Sequence, residues 1–214
     1  MLVALITLIV ITQTTYMNVA ALLPAFTKEH FPGLSSAMNG ILLAGYQVTY
    51  FISTPLVGKY CASIGRKNCI GYGVVVLSMS TATFGLAALS TDQWLFWSIS
   101  FFARCLQGFG DGMCYIPLIS LLTLEFPEKN EVYQGYGMMA LGIGYSSGPA
   151  LAAISIRWCG YLGTNMFFAS LILTIGAVGT VSMPERINKA PPKSENVTVE
   201  GESHSVSYFE FFKN

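Results

Sequence analysis

Charge is the scarcest feature of this chain. Asp, Glu, Lys and Arg together make up 10% of its 214 residues, against roughly 25% in ordinary soluble domains. Eleven basic residues balance eleven acidic ones, so the net charge is zero. That removes the basic field a nucleic-acid binder would use and the acidic excess of a solvating tail. Histidine is nearly absent, and His30 and His204 both fall outside the apolar runs. With no convergent set of His, Cys and carboxylates, and no glycine-rich phosphate loop, the sequence holds no candidate catalytic centre, metal site or cofactor site. The five cysteines, Cys61, Cys69, Cys105, Cys114 and Cys159, are odd in number and show no C-x-x-C spacing. They read as small packing residues rather than redox or metal groups.

What fills the chain instead is apolar: 53% hydrophobic residues and a mean hydropathy of +0.55. Stretches of about 20 apolar residues bounded by charged or turn residues predict membrane-spanning helices. Six such spans are expected, at roughly 2–26, 35–57, 69–89, 93–123, 132–156 and 159–182. The first lacks the basic leader of a secretory signal and is too long for its apolar core. Membrane lipid is thus the surrounding partner. Lys59, Arg66, Lys67, Lys129, Arg186, Lys189 and Lys193 fall on one side, against Lys28 and Arg157 on the other. Basic residues in short loops are retained in the cytoplasm, so both termini are expected there. Trp94, Trp97 and Trp158 then belong to the opposite interface.

Composition changes after Met183. Residues 184–206 are expected to form a cytoplasmic polar linker, too poor in apolar surface to fold alone. The linker carries a sequon at Asn196, modified only if that side were lumenal. Residues 207–214, SYFEFFKN, form a short aromatic amphipathic end segment suited to a membrane surface.

Three patterns stand out within the first 183 residues. Between spans two and three, the loop GKYCASIGRK places Gly58 and Gly65 seven apart and ends on Arg66 and Lys67. It reads either as an ordinary basic inner loop or as a specific close-packed turn. Span four carries Arg104, Gln107, Gly108 and Gly110, followed by Asp111. Seven residues are nearly two helical turns, so Arg104, Gln107 and Asp111 share a face. Charges at membrane depth are rare and mark a functional site by default, although a static network that only makes the helix tolerable in lipid fits the same residues. At about 10 Å along the axis, a bridge through Gln107 or water is expected between the two charges. Span five has Gly135, Gly144, Gly148 and Pro149, where small residues let helices approach and proline permits a bend.

Taken in this order, the three patterns resemble the major facilitator superfamily, over residues 1–183. The resemblance implies an all-α membrane protein whose six transmembrane helices form one half of a major facilitator fold. Arg104 matches the family's helix-four arginine, and Gly58 to Lys67 its inner-loop gating motif. Gly135, Gly144, Gly148 and Pro149 match its helix-five antiporter-type motif. The chain looks most like the drug and vesicular amine branch, which implies alternating-access transport of a small organic, often cationic, solute in exchange for protons.

Two departures matter. Ala62 and Ser63 stand where the family loop has an aspartate and a basic residue, and Thr15 stands where many relatives carry an acid before Pro24. Span one therefore offers neutral groups, Gln13, Thr14, Thr15, Tyr16 and Asn18, to a cavity. Any proton chemistry in this half falls on Asp111. The family normally has two six-helix halves. A truncated chain lacking its C-terminal half is expected here. The alternatives are a half that pairs with a second copy or a related half, and a non-transporting membrane protein that regulates a full transporter.

Overall fold

The computed structural model describes residues 1–188. Lys189, Lys193, Asn196, most of the 184–206 linker and the whole 207–214 end segment lie outside the described residues. Five helical stretches are long and apolar enough to cross a membrane: α1 (Leu2–His30), α2 (Ser36–Ile64), α3 (Arg66–Leu86), α4 (Gln93–Glu125) and α5 (Asn130–Val181). Short 3-10 turns follow α3, α4 and α5.

The 52 residues of α5 would extend about 78 Å as a straight helix, more than twice the roughly 30 Å hydrocarbon core. It is not straight. Gly160 takes φ 65° and ψ −174°, a left-handed φ that favours glycine, and the chain doubles back there. Before the break, Gly144 lies beside Val10 and Gln13, and Gly148 beside Thr14 and Met17, so the first arm runs parallel to α1. After it, Tyr161 stacks on Phe26 while Gly179 faces Leu8, so the second arm returns antiparallel. The five stretches thus contain the six helices expected from the apolar spans.

Helix ends follow from named caps. Ser35 accepts a hydrogen bond from the Met38 amide at the start of α2, and Asp92 does so from the Leu95 amide at the start of α4. The expected loop over 58–67 needs correction. Residues Gly58 to Ile64 continue α2, Arg66 begins α3, and Gly65 alone makes the turn. Hydropathy stops at the first lysine, whereas backbone hydrogen bonding continues for nearly two turns beyond the apolar core.

Central packing depends on α4, pressed between α2 and α3. A β-carbon at Gly108 would overlap the Tyr46 carbonyl oxygen, and one at Gly112 the Ser53 hydroxyl. On its other side, a β-carbon at Gly110 would stand 2.9 Å from the Leu77 amide nitrogen. Small residues one turn apart thus bring the α2 and α4 backbones together. One apolar core, from Leu5 and Leu8 through Ile70, Leu118 and Ile172, fills one end of the bundle. A second, around Phe26, Phe31, Phe84 and Phe96, lies toward the other.

Candidate functional site

Between those two apolar cores lies a buried polar layer. Arg104, Gln107 and Asp111 are each at most 2% exposed. They share a face of α4, as their spacing requires, yet they do not form one chain of hydrogen bonds. Arg104 Nη1 donates to Gln107 Oε1 at 2.7 Å, and Gln107 Nε2 donates onward to Thr81 Oγ1 on α3 at 3.0 Å. Gln107 therefore turns away from Asp111, and the expected Gln107 bridge between the two charges is absent.

Asp111 faces α1 and α2 instead. Its Oδ2 accepts from the Tyr46 hydroxyl at 2.7 Å and from Gln13 Nε2 at 3.3 Å, while Oδ1 is buried without a hydrogen-bond partner. Arg104 has no carboxylate partner either. Among the described residues the two ion pairs are Lys67–Glu185 and Arg186–Glu125. Its guanidinium lies against aromatic rings: the Cζ atom is 4.8 Å from the Tyr46 centroid, 5.7 Å from Tyr16 and 5.9 Å from Phe84. Ring faces attract a cation through their quadrupole and require no competing anion.

Beside Asp111 opens a cavity of about 140 Å³ lined by Gln13, Gln47, Leu141 and five tyrosines: Tyr16, Tyr46, Tyr50, Tyr115 and Tyr145. Residues from α1, α2, α4 and the first arm of α5 form its wall. Tyr16 stacks on Tyr46 at 4.5 Å, and Gln47 donates to the Tyr16 hydroxyl at 2.6 Å, which fixes that ring. A larger apolar groove of about 500 Å³ lies between the start of α1 and the end of α5. It carries no charged side chain, and its exposed Val3 and Val178 face outward.

Not every candidate residue reaches this site. Thr15 turns its hydroxyl back to the Ile11 carbonyl at 3.0 Å, and Asn18 is wholly buried with neither amide atom partnered, away from the cavity wall. Of span one, Gln13 and Tyr16 line the cavity. In the helix-five pattern, Gly144 and Gly148 press against α1, whereas Gly135 has nothing within 4 Å of a β-carbon and makes no close helix contact. Gly58 likewise faces open space, so it contributes nothing to a tight turn. Lying on a helix surface rather than at a crossing, neither glycine meets a neighbouring backbone.

Gly65 is different. Its φ of 93° favours glycine, and a β-carbon there would stand 2.6 Å from Asn188 Oδ1. That oxygen accepts from the backbone amides of Lys67 and Asn68, at 3.0 and 3.3 Å, capping α3 from outside. Lys67 Nζ reaches Glu185 Oε1 at 2.6 Å, and Arg186 reaches Glu125 at 2.6 Å. The Lys67 ammonium holds the exposed Glu185 carboxyl below the usual carboxylate range. Residues 185–188 therefore clasp the start of α3 to the end of α4.

Tyr46, Tyr50, Tyr115, Tyr145 and Phe84 escape a search for charges in apolar runs. A signal existed: Tyr46 and Tyr50 are one turn apart, and Tyr115 is one turn beyond Asp111.

The sequence profile of the Major Facilitator Superfamily matches residues 4–214. The chain is 24% identical to the MFS-type transporter SLC18B1 of Mus musculus over 181 residues, covering 84% of this chain and 39% of that protein. It is 28% identical to Multidrug resistance protein 2 of Bacillus subtilis over 165 residues, or 74% of this chain and 37% of the other. Quinolone resistance protein NorA of Staphylococcus aureus matches at 24% over 165 residues, covering 72% and 40% respectively. The chain thus spans about two fifths of the length of these relatives.

Proposed function

The chain belongs to the major facilitator superfamily, and from that premise we propose that it carries a small organic cation across a membrane by alternating access, in exchange for protons. The observation that carries the reading is Asp111: one carboxylate oxygen is held by Tyr46 and Gln13, the other has no partner, and the adjoining cavity is walled with tyrosine. A carboxylate beside aromatic faces suits an ammonium group, which gains both ionic and cation–π attraction. The names of the bacterial relatives, a multidrug and a quinolone resistance protein, agree with a small organic solute.

Exchange follows from chemistry at a single acid. Asp111 cannot hold a proton and an ammonium group on the same oxygens at once, so loading one releases the other. The cavity volume of about 140 Å³ is below the roughly 300–1,000 Å³ of a drug-sized site. It therefore serves as the subsite for the charged end. The rest of the solute is met by a facing wall, supplied by a C-terminal half, a second copy or a related half. Residues 1–183 act as the rocking unit. The excess of basic residues on one side, Lys59, Arg66, Lys67, Lys129 and Arg186, supports a cytoplasmic α2–α3 turn and cytoplasmic termini. Thr15 and Ala62 leave Asp111 as the proton site of this half.

Uptake into proteoliposomes, with and without a pH gradient, tests the proposal. Asp111→Asn and Arg104→Ala each lower gradient-driven uptake about 10- to 100-fold, the equivalent of the roughly 1.5–3 kcal/mol carried by a hydrogen bond to a charged group. Wild-type rates in both variants would refute it.

A further inference from the structure

Arg104 and Asp111 stand about 10 Å apart along α4 and make no contact, yet both meet one ring. The Tyr46 hydroxyl donates to Asp111 Oδ2 at 2.7 Å, and the face of the same ring lies 4.8 Å from Arg104 Cζ. Tyr46 is held where it is. It is 3% exposed, stacks on Tyr16 at 4.5 Å, and its carbonyl is pressed against Gly108. We infer that Tyr46 is a positioning residue that couples the charge on Asp111 to the hold on Arg104.

The physical link runs through the phenol. A hydroxyl that donates to a carboxylate is polarised by it, and electron density shifts into the ring, which strengthens attraction for a cation on its face. When Asp111 takes up a proton or is neutralised by a bound cation, that polarisation falls and the ring holds the guanidinium less firmly. Arg104 has little else to keep it. Its protein hydrogen bond is to Gln107, and its Nε and Nη2 are buried without partners. Through Gln107 and Thr81 the change continues to α3, at 2.7 and 3.0 Å per step.

Other titratable side chains near Asp111 do not offer the same connection. Tyr50 on α2, Tyr115 on α4 and Tyr145 on α5 line the cavity, and Cys114 is buried in the core next along α4. Tyr16 on α1 also faces Arg104, at 5.7 Å, but its hydroxyl accepts from Gln47 rather than meeting Asp111. A direct field between Arg104 and Asp111 is the competing explanation, and it does not depend on the ring.

A cycle of variants separates the two. Infrared difference spectra of the purified chain in detergent, titrated with acid, follow the carboxylic C=O band of Asp111, which Asp111→Asn identifies by abolishing it. Arg104→Gln is introduced into the wild-type, Tyr46→Phe and Tyr46→Leu backgrounds. In the wild-type background it moves the midpoint by at least about half a pH unit, a threefold change in proton affinity, and in either Tyr46 background by less than about a third of that. Equal shifts in all three backgrounds, or no shift in the wild type, would overturn the inference. Should Tyr46→Leu fail to fold by circular dichroism, Tyr46→Phe keeps the ring and its stack and still decides. The role of this coupling in transport rests on the proposed function. The spectra need no solute, however, so a chain that failed to transport would leave the result standing.

Discussion

At the end of the bundle where α2 turns into α3, opposite charges touch: Lys67 meets Glu185 and Arg186 meets Glu125, each at 2.6 Å. Halfway along α4, Arg104 and Asp111 are buried on one helix face and do not pair. The first region is wet. Glu185 and Arg186 are 78% and 69% exposed at their side chains, against 14% and 21% for Lys67 and Glu125, so solvent reaches one end of each pair and screens it. The second is buried, where an unpaired charge is costly and must be met by donors or aromatic faces. Close pairing therefore marks the region where it matters less. The buried charges are compensated separately, Asp111 by Tyr46 and Gln13 and Arg104 by Gln107 and three rings. That arrangement leaves Asp111 Oδ1 buried without a hydrogen-bond partner, which a salt bridge would have supplied.

The sharpest way to break the central region is to disturb the helix contact that holds Tyr46. Gly108→Ala forces a methyl group into the Tyr46 carbonyl and should cost about 1–3 kcal/mol, seen as a lower thermal unfolding midpoint. Gly135→Ala is the control: nothing lies within 4 Å of the added carbon, and stability should hold or rise by roughly 0.5–1 kcal/mol from reduced backbone entropy. Equal losses at both glycines would remove the distinction between crossing and surface positions.

At the turn, Gly65→Ala should cost roughly 1–2 kcal/mol, because the φ of 93° penalises a β-carbon and Asn188 Oδ1 occupies the space. Unfolding measurements on the Asn188→Ala, Gly65→Ala double variant separate the two causes: relief of part of the loss assigns that part to the clash. The smallest effect is expected of Glu185→Gln. The lowered carboxyl of Glu185 gives a contribution present above the ordinary carboxylate value of about 4.3 and lost as pH falls through the lowered folded-state value. Wild type and variant should therefore unfold almost alike in high salt, with any difference confined to low salt and absent in strong acid. A large difference that persists in high salt would mean the clasp is not the screened, wet region described here.

Much of the scaffold is legible in composition and spacing. Six apolar spans follow from the length of the apolar runs, and the shared face of Arg104, Gln107 and Asp111 follows from helical periodicity. Helix ends at Ile64 and Arg66 do not, because a helix continues past the point where hydropathy falls. The site itself was half visible. Arg104 and Asp111 stand out as charges in apolar surroundings, but their partners Tyr46, Gln13 and Phe84 come from other helices whose rotation no single-span pattern specifies. The same holds for Gly144 and Gly135, alike in sequence pattern and opposite in packing, and for Asn188, whose capping of α3 depends on a contact 121 positions away from Lys67.

Asp111 and its tyrosine wall are expected to hold a cation. Isothermal titration of tetramethylammonium into the purified chain in detergent measures it. Saturable binding is expected in the wild type and in Glu185→Gln, with affinity about 10- to 100-fold weaker in Asp111→Asn, as loss of a charge-assisted contact requires. Binding of equal strength in Asp111→Asn, or none in the wild type, would contradict it.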